Sequence, residues 1–395
     1  MNSQYNILVL NQISPLGLGL FPKETYKVAK DLSAPDAILV RSHDMHSMTI
    51  PESVRAIGRA GAGTNNIPVP AMTQRGVPVF NAPGANANAV KELVLAGMLL
   101  AARNIVPALQ FVASHATQKD DKKLAKIMEE GKKDFAGIEL PNHTLGIIGL
   151  GKIGSLVADT AIKLGMNVLG YDPEITVDAA WSLPAQVKKA NSIAEVLRAS
   201  HFITVHVPLV EATRNLVGEK NLELVQNGTV LLNFSREEIV DATAVAAALD
   251  SGKLQYYVTD FPAAALAANP KVIALPHLGA STGEAEDNSA VMVAQQVRDY
   301  LENGNVQNAV NFPNVVMSRE SPYRIAIANA NVPNMVGQIS GALAAAKLNI
   351  HNMLNRSKGD LAYTLVDVDS PVSAALIGDL CKVPGVLAVR YLPGA

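Results

Sequence analysis

The sequence contains little cysteine, and that shortage removes several kinds of site from consideration. Its only cysteine among 395 residues is Cys381, which excludes an internal disulfide framework and a cysteine metal cluster. Cys381 falls in an apolar helical pattern near the C-terminus. We therefore expect it to be a small buried packing residue, and no metal site is predicted.

Concentrated positive charge and long apolar runs are absent as well. The formal net charge is −2 with no basic block, so the chain lacks the charge pattern of a nucleic-acid-binding protein. The lysine-rich stretch 116–134 is interpreted as a solvated helix and loop. The longest fully apolar run, 93–102, is too short to span a membrane, and the N-terminus lacks the positive region of a signal peptide. These features predict a soluble, cytoplasmic protein without nucleic-acid or membrane partners.

The most informative feature is a glycine-rich turn between an apolar strand and a helix. The predicted strand 145–148 runs into Gly149, Gly151 and Gly154, and a helical pattern follows at once over 152–164. Glycine at these positions permits a tight turn, the approach of a pyrophosphate and close packing of the helix on the strand. The helix N-terminus then faces the phosphates. In this context the turn predicts a dinucleotide-binding unit.

The second strand of this unit indicates which dinucleotide is bound. Residues 166–170 form a second predicted strand that ends at the single acid Asp172. A carboxylate at this position accepts hydrogen bonds from the adenosine ribose hydroxyls and repels a 2′-phosphate. The sequence therefore predicts NAD rather than NADP as the cofactor.

Alternating strand and helix patterns predict two α/β domains in the first three quarters of the chain. In the first, residues 1–98, the expected strands are 7–10, 37–40, 54–57 and 77–80. In the second, residues 99–284, the further strands expected after the glycine-rich turn are 202–207, 229–234, 256–259 and 272–275. The apolar helix 89–104 is expected to cross between the domains, and the helix 285–303 is expected to return to the first.

A third module is predicted after a linker. Residues 304–321 are polar and contain Pro313, as a linker should. Residues 322–395 then show the βαββαβ order of a ferredoxin-like fold. The expected strands are 323–328, 350–355, 361–368 and 386–391, with helices at 335–347 and 372–383. Such a module has an open sheet face or edge that commonly pairs with a second copy.

Three polar residues follow strands of the second domain. Arg236, Asp260 and His277 come after the apolar runs that end at positions 234, 259 and 275. Because the carboxyl ends of strands line the ligand crevice of an open α/β sheet, the three side chains are expected to converge on the nicotinamide.

The chain resembles the D-2-hydroxyacid dehydrogenase family over nearly its whole length. The segments that carry the resemblance are 58–66, 81–83, 145–154, 204–209, 233–241 and 276–282. The resemblance implies an α/β enzyme with a doubly wound Rossmann NAD domain. It also implies a smaller flavodoxin-like substrate domain and a C-terminal ferredoxin-like ACT domain with a regulatory role.

The resemblance assigns roles to individual residues as well. It implies that Arg236 binds the substrate carboxylate and polarises its C2 oxygen, and that His277 is the general acid/base. Cofactor contacts are implied for Gly149, Gly151, Lys152, Ile153, Gly154, Asp172, His206, Val207, Pro208, Thr213, Phe234, Ser235, Arg236, Asp260, His277 and Gly279. Substrate contacts are implied for Arg41, Ser42, Arg59, Ala62, Gly63 and Asn86.

These roles agree with the chemistry of the side chains. Oxidation of a 2-hydroxy acid needs a base that works near neutral pH, and imidazole is suited to that task. A guanidinium offers the planar fork that a carboxylate matches. Arg41 and Arg59, at predicted strand ends, can hold a phosphate, which favours a phosphorylated acid over lactate or glyoxylate.

One departure from the family pattern concerns the partner of His277. Family members usually carry a glutamate a few residues after the aspartate that corresponds to Asp260, and residues 261–266 contain none. Either another carboxylate replaces it, with Glu237 and Glu238 as candidates, or His277 works without a carboxylate partner.

The C-terminal module resembles ACT domains through residues 328–335 and 348–350. The resemblance implies an amino-acid effector, L-serine, bound between two subunits by Asn331 and Asn349, with Asn329 as a further contact. Asn329 stands where histidine is frequent, and Asn334 where glycine is. A dimer-forming role without an effector is the alternative.

The resemblance implies NAD-dependent oxidation of 3-phospho-D-glycerate to 3-phosphohydroxypyruvate, the first step of L-serine biosynthesis, by a homodimer or homotetramer. One alternative is an NAD-dependent reductase of glyoxylate, hydroxypyruvate or 2-oxoglutarate. The other is a non-catalytic NAD-sensing binding protein. Retention of both Arg236 and His277 and the lack of a basic patch argue against the latter.

Overall fold

The structure, a computed structural model, describes residues 4–394 and divides into two compact units. One unit contains the residues up to Asn86 together with those from Gly283 onward, and the other is Ala87–Thr282. The expected domain boundaries lay at 98 and 284. The difference at the first boundary arises because the helix that begins at Ala87 buries Val90, Val94 and Met98 in the core of the second unit.

The helices and strands are numbered in chain order. The strands are β1 Tyr5–Val9, β2 Tyr26–Ala29, β3 Ala37–Val40, β4 Ala56–Arg59, β5 Val79–Phe80, β6 Thr144–Ile148, β7 Asn167–Tyr171, β8 Lys188–Lys189, β9 Phe202–Val205, β10 Thr229–Asn233, β11 Leu254–Thr259, β12 Val272–Ala274, β13 Tyr323–Ala330, β14 Ile350–Lys358, β15 Leu361–Val368 and β16 Val386–Pro393. The helices are α1 Pro15–Leu18, α2 Val69–Gln74, α3 Ala87–Ala102, α4 Ile105–Ser114, α5 Asp121–Gly131, α6 Lys152–Lys163, α7 Val177–Trp181, α8 Ile193–Ala199, α9 Glu219–Leu222, α10 Ala242–Asp250, α11 Gly283–Asn303, α12 Met335–Ala345 and α13 Ala374–Cys381. Short 3-10 turns occupy Lys132–Phe135, Glu211–Thr213 and Glu237–Ile239.

The unit Ala87–Thr282 is built on a seven-stranded parallel sheet. Its strand order is β12-β11-β10-β9-β6-β7-β8. Strands β7 and β8 are added on one side of β6 and strands β9 to β12 on the other, so the order of strand addition reverses between β6 and β9. Apolar strands such as Phe202–Val205 and Thr229–Asn233 are buried throughout, as both faces of the sheet are covered. The expected doubly wound sheet is confirmed, and its ligand crevice lies at the point of reversal.

The other unit begins with a five-stranded parallel sheet of order β2-β1-β3-β4-β5, the flavodoxin-like order that was expected. Helix α11 packs on β4 through Gly58. A Cβ at this glycine would stand 2.7 Å from Cγ2 of Val293 and 2.8 Å from Cγ2 of Val297, which leaves no room for a side chain. Helix α11 therefore belongs to the core of this first sheet.

The C-terminal part of the same unit has the expected βαββαβ order and forms an antiparallel sheet, β14-β15-β13-β16. One face of the sheet packs on α12 and α13 through residues such as Ile325 and Ile339. The other face does not stay open. Tyr363 and Leu365 on that face share one apolar core with Phe80 and Tyr300.

Residues 304–321, expected to be a flexible linker, are paired with neighbouring backbone instead. Val306 and Val315 exchange two backbone hydrogen bonds of 2.8 Å. Asn311 accepts from the Val79 N–H at 2.9 Å and donates to the Val77 carbonyl at 3.0 Å. The expectation of a flexible tether is wrong because these bonds fasten the segment to the edge of the first sheet.

The expectation for Cys381 is also wrong, since the residue is exposed at the end of α13. The helix buries Leu376 and Leu380, and Cys381 lies one position outside this buried stripe.

Helix α5, within the lysine-rich stretch, buries none of its residues, as expected for a solvated helix. Across residues 4–394 no single helix is long and apolar enough to cross a membrane, although α3 and α4, which meet at 64°, pass that test as a pair.

Candidate active site

The glycine-rich turn lies between β6 and α6, with geometry that only glycine tolerates at two positions. Gly149 has φ of +96°, and a Cβ on Gly154 would collide with the Gly149 carbonyl. Gly151 has no atom within 4 Å of a built Cβ, so the space above it is open. No side chain caps α6, and its first N–H groups are left to bind an anion. Lys152 is exposed and Ile153 half-buried in the first turn of the helix.

Asp172 follows β7 and is fixed by two backbone hydrogen bonds. Its Oδ2 accepts from the Leu150 N–H at 2.8 Å and its Oδ1 from the Glu174 N–H at 3.0 Å. A cavity of about 520 Å³ opens beside it. The cavity is lined by Leu150, Gly170, Tyr171, Asp172, Pro173, Ile175, Ala180, Leu183, Val187, Lys189, Ala190 and Asn191. An adenosine fits this mixture of apolar walls and one fixed carboxylate.

Sequence reasoning missed Lys189 and Asn191 in this cavity. Lys189 ends β8, a strand of two residues that pairs with β7. The strand is too short and too polar to be found by periodicity. The signal that could have found Lys189 is its position. Strand β8 is the third strand of this sheet in chain order, and its carboxyl end also faces the ligand crevice.

The three polar residues that follow strands lie at one edge of the second sheet. Arg236 comes after β10, Asp260 after β11 and His277 after β12, and these strands are parallel neighbours. Oδ2 of Asp260 accepts from the Gly279 N–H at 2.9 Å, and the His277 N–H donates to the Asp260 carbonyl at 2.9 Å. The Arg236 side chain is exposed and donates to the Ser235 carbonyl at 2.7 Å.

His277 is held by its backbone and by an aromatic ring. Its φ of +47° is unusual for a residue with a side chain and marks a constrained turn. The imidazole lies 5.0 Å from the Phe261 ring, edge to face at 68°. Within residues 4–394 no carboxylate forms an ion pair with it, and Glu237 and Glu238 are exposed in a 3-10 turn. Neither of the two candidate glutamates therefore pairs with His277 among the described residues.

Two buried polar atoms at this edge have no hydrogen-bond partner among residues 4–394. They are Oδ1 of Asp260 and Nδ1 of His206. Burial raises the pKa of Asp260, while the nearby Gly279 N–H and His277 lower it. Burial also lowers the pKa of His206 to about 4, so its ring is neutral and Nε2 pairs with the Thr204 hydroxyl at 2.9 Å. Buried polar atoms normally have partners, and a bound nicotinamide nucleotide can supply them.

The loop after β9 is tied to the loop after β10. The Ser235 hydroxyl donates to the Val207 carbonyl at 2.6 Å, and Phe234 is buried beside it. Thr213 donates to the Pro208 carbonyl at 2.6 Å and accepts from the Val210 N–H at 2.9 Å. These bonds give the expected cofactor-contact residues a fixed backbone.

The residues expected to contact substrate lie in the other unit, at the carboxyl ends of β3 and β4. Arg41 forms an ion pair of 2.5 Å with Glu286 of α11, and Arg59 donates through Nε to the Arg41 carbonyl at 3.1 Å. Ser42 is exposed, while Ala62, Gly63 and Asn86 are half-buried. Two residues that sequence reasoning missed support this region: Glu286, and Asn81, whose amide donates to the Ala62 carbonyl at 2.5 Å.

The expected effector residues do not meet within one chain. Asn331 follows the residue of β13 that pairs with Leu361, and Asn349 precedes the residue of β14 that pairs with Val368. Leu361 and Val368 are the two ends of β15, so the asparagines lie at opposite ends of the sheet, roughly 23 Å apart along a strand. Asn331 donates to the Gly359 carbonyl at 3.0 Å, and Asn329 is buried with its amide donating to the Ala330 carbonyl at 2.7 Å.

One module alone therefore does not bring Asn331 and Asn349 together, and the expected effector site between two subunits stays a prediction. A small amino acid is far shorter than the distance between them, because each lies beyond a different end of an eight-residue strand. Asn334 is explained by backbone geometry: its φ of +65° is the left-handed conformation that glycine or asparagine adopts.

Comparisons with known proteins identify the family of the chain. The family described as D-isomer specific 2-hydroxyacid dehydrogenase, NAD binding domain, matches residues 95–279. A D-3-phosphoglycerate dehydrogenase from Methanocaldococcus jannaschii is 36% identical over 306 residues, which are 75% of this chain and 55% of that protein. One from Haemophilus influenzae is 32% identical over 349 residues, 85% of this chain and 81% of that protein.

Solved structures show the same fold. An NAD⁺-bound 3-phosphoglycerate dehydrogenase from Entamoeba histolytica has a TM-score of 0.60 at 26% identity, covering 78% of this chain and 99% of that one. A D-mandelate dehydrogenase from Rhodotorula graminis has a TM-score of 0.68 at 20% identity, covering 80% of this chain and 99% of that one, a likeness of fold alone. The chain belongs to the D-2-hydroxyacid dehydrogenase family, and NAD is the cofactor of its second unit. It spans only 55% and 60% of the length of two of the curated relatives it matches.

Proposed function

We propose that this protein oxidises 3-phospho-D-glycerate to 3-phosphohydroxypyruvate with NAD, the first step of L-serine biosynthesis. The observation that carries the proposal is the set formed by Arg236, Asp260 and His277 at the ends of three adjacent parallel strands. The substrate is inferred from relatives named D-3-phosphoglycerate dehydrogenase, which are 32% and 36% identical to this chain.

The residues divide the work of the reaction. The Arg236 guanidinium holds the substrate carboxylate in a planar fork and draws electron density from the C2 oxygen. The His277 imidazole takes the hydroxyl proton as the C2 carbonyl forms and can release it to water, because the residue is exposed. When bound, NAD supplies the oxidant that accepts the hydride from C2. Asp260 orients the turn that carries His277 through its backbone carbonyl.

One observation favours a second candidate, the reduction of an unphosphorylated 2-keto acid such as glyoxylate, hydroxypyruvate or 2-oxoglutarate. Arg41, expected to hold the phosphate, is paired with Glu286 at 2.5 Å. A carboxylate that already neutralises this cation weakens its attraction for a second anion. The two candidate functions therefore differ in one measurable respect, which is whether a phosphate group on the substrate raises kcat/KM.

Steady-state kinetics with NAD(H) and matched acids tests both candidates. For the proposed function we expect kcat/KM for 3-phospho-D-glycerate to exceed that for D-glycerate by at least tenfold. Equal values, or faster reduction of hydroxypyruvate or glyoxylate than of 3-phosphohydroxypyruvate, would favour the second candidate. Tight NAD binding with no turnover of any of these acids would favour an NAD-sensing binding protein.

We also propose that the chain forms a homodimer or homotetramer and that any L-serine site is shared between two copies. The separation of Asn331 and Asn349 within one module supports this, because only a second copy can bring one close to the other. Calorimetry with L-serine at millimolar concentration tests it. Binding by a protein shown to be monomeric would contradict the shared site.

A further inference from the structure

Two adjoining cavities form a polar groove in the unit that contains the first and last parts of the chain. Their volumes are about 370 and 450 Å³, and they share Asn314 and Lys358. We call them the hairpin groove because Lys358 ends β14 at the turn to β15. The lining residues are Asn81, Asn308, Ala309, Val310, Phe312, Pro313, Asn314, Asn355, Arg356, Ser357 and Lys358. None of them belongs to the cavity beside Asp172.

Strand geometry places the two cations of the groove on one sheet face. Side chains alternate along a strand, so Arg356 and Lys358 share the face of Leu354, which packs on the core that contains Phe80 and Tyr300. The Lys358 ammonium donates to the Val310 carbonyl at 3.0 Å. That contact uses one of its three donors and holds the charge at the groove.

The rest of the lining is neutral and rich in hydrogen-bonding groups. No aspartate or glutamate lines either cavity, and within residues 4–394 neither Arg356 nor Lys358 has a carboxylate partner. Asn81, Asn308 and Asn314 line the same space. The Asn81 amide N–H donates to the Ala62 carbonyl and Oδ1 of Asn314 accepts from the Asn308 N–H, so these two amides are held in place. Two cations beside several amide donors and acceptors match an oxyanion that also carries hydroxyl groups.

We propose that the hairpin groove binds a small anion, a carboxylate or phosphate with hydroxyl groups. The charge of the ligand is set by Arg356 and Lys358, and its hydroxyl groups are matched by the asparagine amides. An anion there ties the end of β14 to residues 308–314 and so strengthens the contact between the C-terminal module and the first sheet.

A consequence for catalysis follows through Asn81, and this step rests on the proposed function. The backbone of Asn81 donates to the Asn308 carbonyl at 3.3 Å, and its side chain donates to the carbonyl of Ala62, an expected substrate contact. An anion in the groove therefore alters the KM for the 2-hydroxy acid and leaves the KM for NAD unchanged. The anion changes the KM for the 2-hydroxy acid by binding more tightly when the Ala62 backbone is in one position than when it is in another.

Titration calorimetry on the full chain, saturated with NAD, tests the binding site. Citrate and inorganic phosphate serve as separate probes for the carboxylate and phosphate classes. We expect at least one to bind, and Arg356→Met and Lys358→Met each to weaken that binding at least tenfold. Lys382→Met is the matched control, since Lys382 is an exposed lysine of the same module paired with Asp379. It should bind as the wild type does.

The proposal is overturned if neither probe binds at millimolar concentration, or if both groove variants bind as tightly as the wild type. An unchanged melting temperature of each variant, measured on the full chain, shows that the unit that contains the groove is folded. Binding that is lost in Arg236→Met and kept in the groove variants would place the anion at the strand-end arginine and overturn the groove. Failure of the proposed function leaves the calorimetric result intact, so the two failures are distinguishable.

Discussion

Asp172 is the residue on which we expect the choice between NAD and NADP to depend. Its carboxylate is fixed by the Leu150 and Glu174 N–H groups beside the cavity of about 520 Å³. We expect strong preference for NAD over NADP, because a 2′-phosphate would be repelled. Asp172→Ala should lower the ratio of kcat/KM with NAD to kcat/KM with NADP, while Asp159→Ala, at a half-buried acid of α6, should not. Equal values for the two cofactors in the wild type would contradict the assignment.

His277 is expected to be the proton acceptor. His277→Ala should lower kcat by about a hundredfold or more with NAD affinity little changed, and Arg236→Lys should be similarly damaging because an ammonium lacks the planar fork. Single-turnover rates together with NAD binding by fluorescence titration measure both effects. Normal turnover in His277→Ala would mean that another residue is the base.

His206 should make the stability of the protein depend on pH. Burial lowers its folded pKa from 6.5 to about 4, so the unfolded chain binds a proton first as the pH falls. The stabilisation from the neutral ring is complete above about pH 6.5 and is lost progressively toward pH 4, by about 3 kcal/mol for this group. Urea unfolding of cofactor-free protein at both pH values should show a smaller loss in His206→Gln. His43→Gln, at an exposed histidine, is the control, and an equal loss in both variants would contradict the assignment.

Much of the site could be predicted at the level of residues because its glycines and strand-end polar groups are local in sequence. The glycine-rich turn, Asp172 and His277 each follow a strand directly. The contact between His277 and Phe261, the ion pair of Arg41 with Glu286 and the amide of Asn81 depend on tertiary placement instead. Single-sequence patterns carry no signal for such long-range pairs.

At the scale of elements, the strongest single link in the C-terminal module is the buried ion pair between β13 and β15. Arg324 donates to both oxygens of Asp367, at 2.6 and 2.8 Å, and to the Met317 and Asn303 carbonyls. Both side chains are fully buried. The pair also accounts for the lowered pKa of Asp367, whose burial alone would raise it.

Breaking that pair should be more costly than replacing it. Arg324→Met leaves the Asp367 carboxylate buried and uncompensated, and we expect a loss of about 3–5 kcal/mol in the free energy of unfolding. The double change Arg324→Met with Asp367→Leu should recover part of that loss. Thermal and denaturant unfolding of the three proteins measures the difference. An undiminished loss in the double variant would show that the carbonyl contacts of Arg324, and not the charge pair, hold the module.

Elements with clear periodicity were predicted to within a few residues, and short ones were missed. The βαββαβ order and six of the seven strands of the second sheet follow from apolar runs bounded by glycine and polar residues. Strands β2 and β8, of four and two residues, were not found because the first alternates weakly and the second is Lys188–Lys189.

At the scale of the whole molecule, the C-terminal module and the first sheet form a single core, and the chain cannot be cut between them without exposing apolar surface. Tyr363, Leu365 and Leu392 pack with Tyr300 and Phe312. The Arg390 guanidinium lies 4.6 Å from the centre of the Tyr300 ring and donates to the Tyr300 carbonyl at 3.1 Å. Burial of large side chains on both sides is the pattern of a structural core.

Deletion of residues 320–395 should therefore have different effects on the two units. A freely tethered regulatory module would leave an active core that has merely lost any serine sensitivity. The shared core predicts a lower melting temperature for the unit that begins the chain and a tendency to aggregate, because the faces of Tyr300 and Phe312 become exposed. NAD binding should persist, since Ala87–Thr282 has its own cores.

Calorimetric scanning with NAD titration of the shortened chain separates the two outcomes. The milder change Tyr363→Ala in the full chain is the complement, because it opens a cavity in the shared core without removing the module, at a cost of about 3–5 kcal/mol. A shortened chain that stays monodisperse, melts as the full chain does and oxidises its substrate at the same rate would show that the module is a separable attachment. Since Asn311 remains in the shortened chain with its hydrogen bonds to Val77 and Val79, we expect the β5 edge of the first sheet to stay ordered while Tyr300 and Phe312 lose their cover.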